Sequence, residues 1–417
     1  MTRIWRRRLK CVFAAALAAM LLAPRLGAVA NLPDRLAMEP GGSVSLMVPG
    51  TLGAGVDAPE VAAVVASAGS ALRVNAGEEG EAQLTLDVLG LPVRKVKLSV
   101  EPEKVLIPGG QSVGVAIKTA GVVVVGASDL GKTPSPARLA GLKSGDVIRS
   151  LDGTPVTSAA QLASLLTAGE KARLTVARDG ADFECAITPT ADARDGGARL
   201  GAWVRDSTAG VGTLTFYDPR DGAFGALGHA ITDIDTGALM PVGAGEIYEN
   251  RVVEVTRSRE GTPGELTGDF FADARIMGEV TRNTDRGIFG EAGAIENPLY
   301  PEGLPIAPLR EVRPGPASLL TTVEGGAVRE YACEIVRLSP RQDSATRAMV
   351  IRVTDPALLE RTGGIVQGMS GSPIIQDGHL IGAVTHVMVN DPAMGYAIGI
   401  EAMLEAAREA VEQPKAA

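Results

Sequence analysis

The sequence is poor in three residue types that often announce function. Aromatic residues make up 3% of its 417 positions, and there are three histidines and three cysteines. With so few rings, the cores must be filled by Val, Leu, Ile and Ala. Cys11, Cys185 and Cys333 have no spacing that suggests a disulfide framework or a zinc site. A single Cys185–Cys333 bridge and two buried free thiols both stay open. Excess positive charge is also missing, since the formal net charge is −9. Loss of the six basic residues in the first thirty would take it to −15. That leaves no electrostatic case for binding nucleic acid or an anionic membrane. No motif requires a cofactor or a metal.

An N-terminal export pattern is present. Arg3, Arg6, Arg7, Arg8 and Lys10 precede an apolar run from Cys11 to Ala23, and Ala28-Val29-Ala30 supplies small residues for a signal peptidase. Residues 1–30 are therefore predicted to be an export signal. The thirteen-residue run is short for a membrane span and Arg25 interrupts its extension. A retained anchor through residues 11–23 is the alternative. Cys11 opens the run instead of following it, which argues against a lipid-anchored cysteine.

A chain of this length exceeds one ordinary core, so two or three domains are expected. With 51 Gly and 26 Pro between short apolar runs, the fold is predicted to be mainly β. Residues 31–101 alternate β-like runs with Gly/Pro turns and predict a small β-rich domain. Residues 103–190 form a second unit. Asp152-Gly153 marks a turn, Ser158-Ala159-Ala160-Gln161 a capping box, and Asp179-Gly180 a hairpin joining Ala172–Arg178 to Ala181–Ile187. Ser135-Pro136-Ala137, the run Ala140-Gly141-Leu142-Lys143-Ser144-Gly145-Asp146-Val147-Ile148, and Asp152-Gly153 together resemble a PDZ domain of bacterial proteases. The resemblance implies that Val113, Gly114 and Val115 form the carboxylate-binding loop. It also implies that Ala116 to Lys118 are the edge that accepts a peptide as an added strand. A closed packing domain is the alternative. After a polar linker, residues 198–417 again show short strands. They end in an amphipathic helix with Ile400, Met403, Leu404, Ala407 and Val411 on one face.

The stretch Gly368-Met369-Ser370-Gly371-Ser372-Pro373 carries the chemistry. A serine between glycines on a tight turn can present its hydroxyl beside two backbone N–H groups, as an acyl-transfer site requires. Histidine suits the task of taking its proton. His379 sits at an Asp377-Gly378 hairpin tip, and His386 follows Ser370 within an apolar strand. His229, in Gly228-His229-Ala230-Ile231-Thr232-Asp233, precedes the serine. In the chymotrypsin-like double barrel the base comes from the first barrel and the serine from the second. Gly368–Pro373, Gly378 and Leu380–Thr385 look like that fold's nucleophile turn and cleft strand. On this reading His229 is the base and the Gly368 and Ser370 N–H groups form the oxyanion hole. Thr385 and His386 then flank the bound peptide. Met369 stands where trypsin-like enzymes carry an aspartate, so activation by a buried N-terminal ion pair is excluded.

Asp355, Gly363–Ile375, Gly382–Val387, Gly228–Asp233 and Asn283-Thr284 with Gly287–Gly290 resemble the stage IV sporulation protein B peptidases. That family is a secreted serine endopeptidase with an export segment, a PDZ unit and a chymotrypsin-like double β-barrel. The resemblance implies a triad of His229, Asp355 and Ser370, autocleavage, and no cofactor. It further implies that the enzyme cuts a regulatory subunit of an intramembrane metalloprotease between the forespore and mother-cell membranes, triggering sigma-factor maturation. Asp355 lies only fifteen residues before the serine, closer than the acid in ordinary double-barrel enzymes. Asp233, Asp269 and Asp285 are the alternative orienting groups. The competing functions are an envelope quality-control protease of the high-temperature-requirement type and a PDZ binding module with an inactive peptidase domain.

Overall fold

The computed structural model describes residues 32–412 except 39, 49–52, 67–70, 89–90, 101–103, 270–273 and 340–344. The expected export segment lies outside the described residues. The chain divides into two compact units, Met1–Lys104 and Val105–Ala417. Among the described residues no helix is long and apolar enough to cross a membrane.

The first unit is the β-rich domain expected. A four-stranded sheet (Arg35–Met38, Leu91–Val100, Gly80–Val88, Gly53–Val56, in that order) accompanies a three-stranded one (Ser43–Met47, Ala71–Ala76, Ala62–Ala66). Alternation along Ala71–Ala76 turns Leu72, Val74 and Ala76 inward. They share one core with Leu84, Leu86, Val96 and Leu98 from the other sheet.

In the second unit β1 (Ser112–Ala127) is sixteen residues long. It leads into α1 (Pro136–Leu139), β2 (Val147–Leu151), α2 (Ala159–Leu165), β3 (Ala172–Arg178) and β4 (Ala181–Ile187). β5 (Ala202–Tyr217), equally long, returns toward β1 and is followed by β6 (Ala223–Ala226), β7 (Val242–Glu249), β8 (Ile276–Thr284) and β9 (Gly287–Ala292). Further along the chain lie β10 (Gly315–Thr321), β11 (Arg329–Leu338), β12 (Met349–Val353), α3 (Pro356–Thr362), β13 (Pro373–Gln376), β14 (His379–Met388), β15 (Asp391–Gly399) and α4 (Ile400–Glu412).

Antiparallel pairing runs β1-β7-β8-β9-β6-β5 and back to β1, closing a first barrel. β10-β11-β12-β15-β14-β13 close a second. Val113, Val115, Ile117, Leu214, Phe224 and Ile247 fill the first, and Leu319, Ile335, Ile351, Ile374 and Val384 fill the second. Ile400, Met403 and Leu404 of α4 pack with Phe216 and Phe289 of the first barrel and Leu380 and Ile398 of the second. The terminal helix thus seals the two barrels together.

The tight turns follow from their dipeptides. Asp152-Gly153, Asp179-Gly180 and Asp377-Gly378 all have positive φ (49° and 78°, 50° and 80°, 50° and 78°). That is the backbone twist a two-residue hairpin needs. Ser158 caps α2 by accepting from Gln161 N at 3.1 Å, and Gln161 Oε1 accepts from Thr157 N at 2.8 Å. Cys185 lies on β4 and Cys333 on β11, and both thiols are free. Burial pushes the Cys333 thiol up to about 12.

The position of the PDZ unit differs from the expectation. It does not precede the peptidase but is inserted into its first barrel, between β1 and β5. The first half of β1 is a barrel strand. Val122 and Val123 near its end pair instead with β2, and its last residues pair with Ala202–Arg205. The predicted boundary at residue 198 therefore moves, because the first barrel already begins with β1. The predicted peptide-binding loop moves too. Val113 pairs with both Gly212 and Glu249, Gly114 with Val211 and Tyr248, and Val115 with Gly210 and Ile247. Val113 and Val115 are buried in the barrel core. A strand bonded along both edges has no free N–H and C=O row for a third partner, and Ala116 to Lys118 are bonded on both sides as well.

Candidate active site

The serine turn is built by two glycines. Gly368 and Gly371 have φ of +96° and +97°. A Cβ at Gly371 would lie 2.0 Å from Thr213 O and 2.5 Å from Leu227 N. Only glycine allows the turn to approach the first barrel so closely. Strand β5 clasps the turn through its carbonyls. Thr213 N donates to Ser370 O (2.9 Å), Thr213 Oγ1 to Gly368 O (2.7 Å) and Thr215 Oγ1 to Gly371 O (2.8 Å). From the second barrel, Gly371 N donates to Val384 O at 2.7 Å. Met369 is fully buried in the second-barrel core. Among the described residues, neither Gly368 N–H nor Ser370 N–H donates a hydrogen bond within the protein. Both amides are therefore left to donate to a bound group.

The histidine arrives by a strained bend. Leu227 and Gly228 have φ of +69° and +70°, a region costly for a residue with a branched side chain. Leu227 Cδ2 fills the space of the missing Gly212 side chain, where a Cβ would lie 2.0 Å away. A Cβ at Gly228 would meet Thr385 Cγ2 and Ile398 Cγ2 at 3.1 Å. The bend therefore lies against the second barrel, with Leu227 beside Gly371 and Gly228 beside Thr385. His229 follows at once. Its Nδ1 lies 2.8 Å from Ala230 O. A carbonyl can only accept, so Nδ1 carries the hydrogen and Nε2 keeps the lone pair, the tautomer a general base requires. Burial lowers the pKa of His229 below the usual histidine value.

The His386 ring lies 5.1 Å from that of His229, tilted by 38°. Its pKa is lowered to about 4 by desolvation, by His229 and by Arg347, although the side chain reaches solvent. Ser370 Oγ donates to Thr385 O at 2.7 Å, so the serine hydroxyl rests on β14 and is not hydrogen-bonded to His229. Of the expected cleft pair, His386 faces outward. Thr385 is 1% exposed, with Oγ1 donating to Thr346 O at 2.7 Å. Its backbone carbonyl accepts from the Ser370 hydroxyl.

Asp355 is engaged elsewhere. It is the N-cap of α3, where Oδ1 accepts from Ala357 N (2.9 Å) and Leu358 N (3.1 Å) and Oδ2 from Ala332 N (3.3 Å). The structure does not bring it to His229, whose Nδ1 is held by Ala230 O. Asp233 is buried in a turn and ion-paired with Arg205. Among the described residues, none of Asp233, Asp269 and Asp285 hydrogen-bonds to His229.

The sequence reading missed the residues that hold the site together. Asn283 Oδ1 accepts from Ile231 N at 2.8 Å, and its Nδ2 donates to Ile231 O and Met240 O at 2.7 and 2.9 Å. This pins the chain two residues beyond His229. Thr213 and Thr215 were visible as alternating hydroxyls in the otherwise apolar run Val211–Tyr217. That pattern is the signal for polar groups facing a partner on one side of a strand.

Sequence comparison decides the family. The SpoIVB peptidase S55 model matches residues 196–404, and a PDZ domain model matches residues 131–178. The chain belongs to the SpoIVB peptidase S55 family. This S55 peptidase is a serine endopeptidase carrying a PDZ domain. No curated protein matches the sequence. Among solved structures, the PDZ domain of an SdrC-like protein from Listeria monocytogenes is 22% identical. That match covers 20% of this chain and 87% of the other, with a TM-score of 0.18. The HtrA-type protease AlgW with a decapeptide is 12% identical over 50% of this chain and 55% of its own, with a TM-score of 0.29. The active form of the Rv3671c protease from M. tuberculosis is 15% identical over 50% and 76%, with a TM-score of 0.28.

Proposed function

We propose that this S55 peptidase is exported and cuts polypeptides with Ser370 as nucleophile, His229 as general base and acid, and the Gly368 and Ser370 N–H groups as oxyanion hole. The supporting observation is the glycine-built turn, which fixes the serine and both amides against the bend that delivers His229. The first step is rotation of Ser370 Oγ away from Thr385 O toward His229 Nε2. Free-enzyme geometry of this kind tightens when substrate binds. Oγ attacks the scissile carbonyl carbon as its proton passes to Nε2, and the carbonyl oxygen becomes an oxyanion between the two N–H groups. Collapse expels the amine, which takes the proton from His229. Water, deprotonated by His229, then attacks the acyl carbon, and the Oγ–acyl bond breaks as His229 returns the proton to Ser370 Oγ, freeing the acid product. The Ala230 carbonyl holds the tautomer that an aspartate holds in other triads. With its pKa near 4, His386 is neutral at pH 7 and puts no second positive charge beside the imidazolium.

The substrates we propose are the chain itself and a membrane-associated regulator of an intramembrane protease, cut in the space between the forespore and mother-cell membranes to start sigma-factor activation. This rests on the family and on the basic-apolar N-terminus. Intact-mass analysis of the purified chain and its Ser370→Ala variant tests the reading. Discrete truncations are expected in the first and none in the second. Identical truncation of both would refute it, and conversion of an added unfolded protein to many small peptides would point to quality control instead.

A further inference from the structure

Arg205 takes no part in the chemistry proposed above, yet it joins the two modules at the loop that carries His229. It is the last residue of β5 paired with the PDZ end of β1, opposite Val123; the next pair, Ser207 with Lys118, skips Thr119 to Val122. Gly121 within that break has φ of +114°, and Thr119 Oγ1 bridges it by donating to Gly121 O (2.5 Å) and Asp206 O (3.1 Å). The strand therefore changes module at Arg205. From this junction the guanidinium crosses to the segment between His229 and β7. Nη1 pairs with Asp233, and Nη2 lies 2.7 Å from Asp235 Oδ2. The Asp233 side chain is fully buried, and its Oδ1 accepts from Asp235 N (3.1 Å) and Thr236 N (2.9 Å). A second PDZ contact meets the same segment, since a Cβ at Gly145 would lie 3.7 Å from Ala238 Cβ. Asn283 of β8 holds the segment from the barrel side at Ile231 and Met240.

We infer that Arg205 is a positioning residue. It ties the His229 loop to the PDZ strand, so that the seating of the PDZ unit on the barrel sets the placement of the catalytic imidazole. The inference rests on the proposed role of His229 as base. Removing Arg205 leaves a buried carboxylate without its cation, and the loop must move to hydrate it.

The three histidines make the test direct, because each ring gives its own signal in a histidine-labelled sample of the full chain. In Arg205→Gln the His229 resonances are expected to shift or broaden, and those of His379, beside the Asp377-Gly378 turn of the second barrel, to stay. Acylation by a fluorophosphonate is expected to slow about tenfold or more, with kcat for a short peptide amide falling and KM holding, since misplacing a catalytic group costs rate rather than binding. Arg205→Lys keeps the charge and one of the two bridges and should recover most of the rate. Unmoved His229 signals with an unchanged acylation rate would overturn the inference. If Arg205→Gln fails to fold, Asp235→Asn, at the exposed partner, decides in the same way with a smaller effect. A wild-type chain that the probe does not label would refute the hydrolase reading, while the ring signals would still test the Arg205 link.

Discussion

Replacing Gly371 by alanine tests whether the site depends on the close approach of two barrels. Gly371 has φ of +97°, which costs an L-residue about 1–2 kcal/mol. An added Cβ would also sit 2.0 Å from Thr213 O and 2.5 Å from Leu227 N, both backbone atoms that cannot swing aside. Forcing extra volume into such a contact adds about 1–3 kcal/mol. The total of about 2–5 kcal/mol is a large share of the 5–15 kcal/mol typical of a domain. The same displacement pulls Ser370 O from Thr213 N, so the serine turn loses its seat on the first barrel. Gly378→Ala is the matched control, with φ of +78° and nothing within 4 Å of the added atom. It should carry only the conformational cost. Guanidinium midpoints and fluorophosphonate acylation rates of the two variants provide the comparison. Gly371→Ala should unfold at clearly lower denaturant and acylate slowly, whereas Gly378→Ala should acylate at the normal rate. Equal midpoint shifts would show that the barrel-to-barrel contact does not set the cost.

Other outcomes follow from individual contacts. Ser370→Ala should abolish cleavage yet cost only about 1 kcal/mol of stability, because the hydroxyl makes a single hydrogen bond to Thr385 O; a denaturation midpoint near wild type checks this. Asp355→Asn should keep the α3 cap and normal activity, whereas Asp355→Ala should lose about 1 kcal/mol of stability. Collapse of kcat in the folded asparagine variant would restore Asp355 to the triad. Burial lowers the His229 pKa, so kcat/KM should be flat above pH 7 and fall only as pH drops through a value below 6.5. For His386 the folded value of about 4 lies below the ordinary histidine value of 6.5. The folded chain therefore binds fewer protons than the unfolded one in that window. The contribution is complete above pH 6.5 and is lost as pH falls toward 4. Thermal midpoints of wild type should thus fall more steeply with acid than those of His386→Gln, and parallel profiles would contradict the shift.

What could be read in advance depended on how local the physics is. The Asp-Gly hairpins, the Ser158 cap and the glycine-flanked serine are settled within a few residues, and each has the expected conformation. The double barrel followed from strand rhythm and the terminal helix. The PDZ groove was misplaced because β1 serves two modules. Val113, Val115 and Ile117 point into a barrel, and Val122 and Val124 into the PDZ core. Alternation along one strand does not reveal which partners lie at its edges. The only local mark of the change is Gly121. The Arg205 bridge and the Asn283 clamp join residues far apart in the chain, and Ala230 O acts through its backbone, so no spacing announced them. Asp355 fits the family's pattern, while Asp355-Pro356 is equally a helix-start pattern; in the fold its oxygens serve the cap.

The central claim is that the Ser370 hydroxyl is made reactive by His229. Fluorophosphonate labelling of the purified chain, mapped by mass spectrometry, tests it most directly. The expected result is one adduct on Ser370 in wild type, none in Ser370→Ala, and a sharply slowed reaction in His229→Ala. Labelling of His229→Ala at the wild-type rate, or a wild-type protein that stays unlabelled, would contradict it.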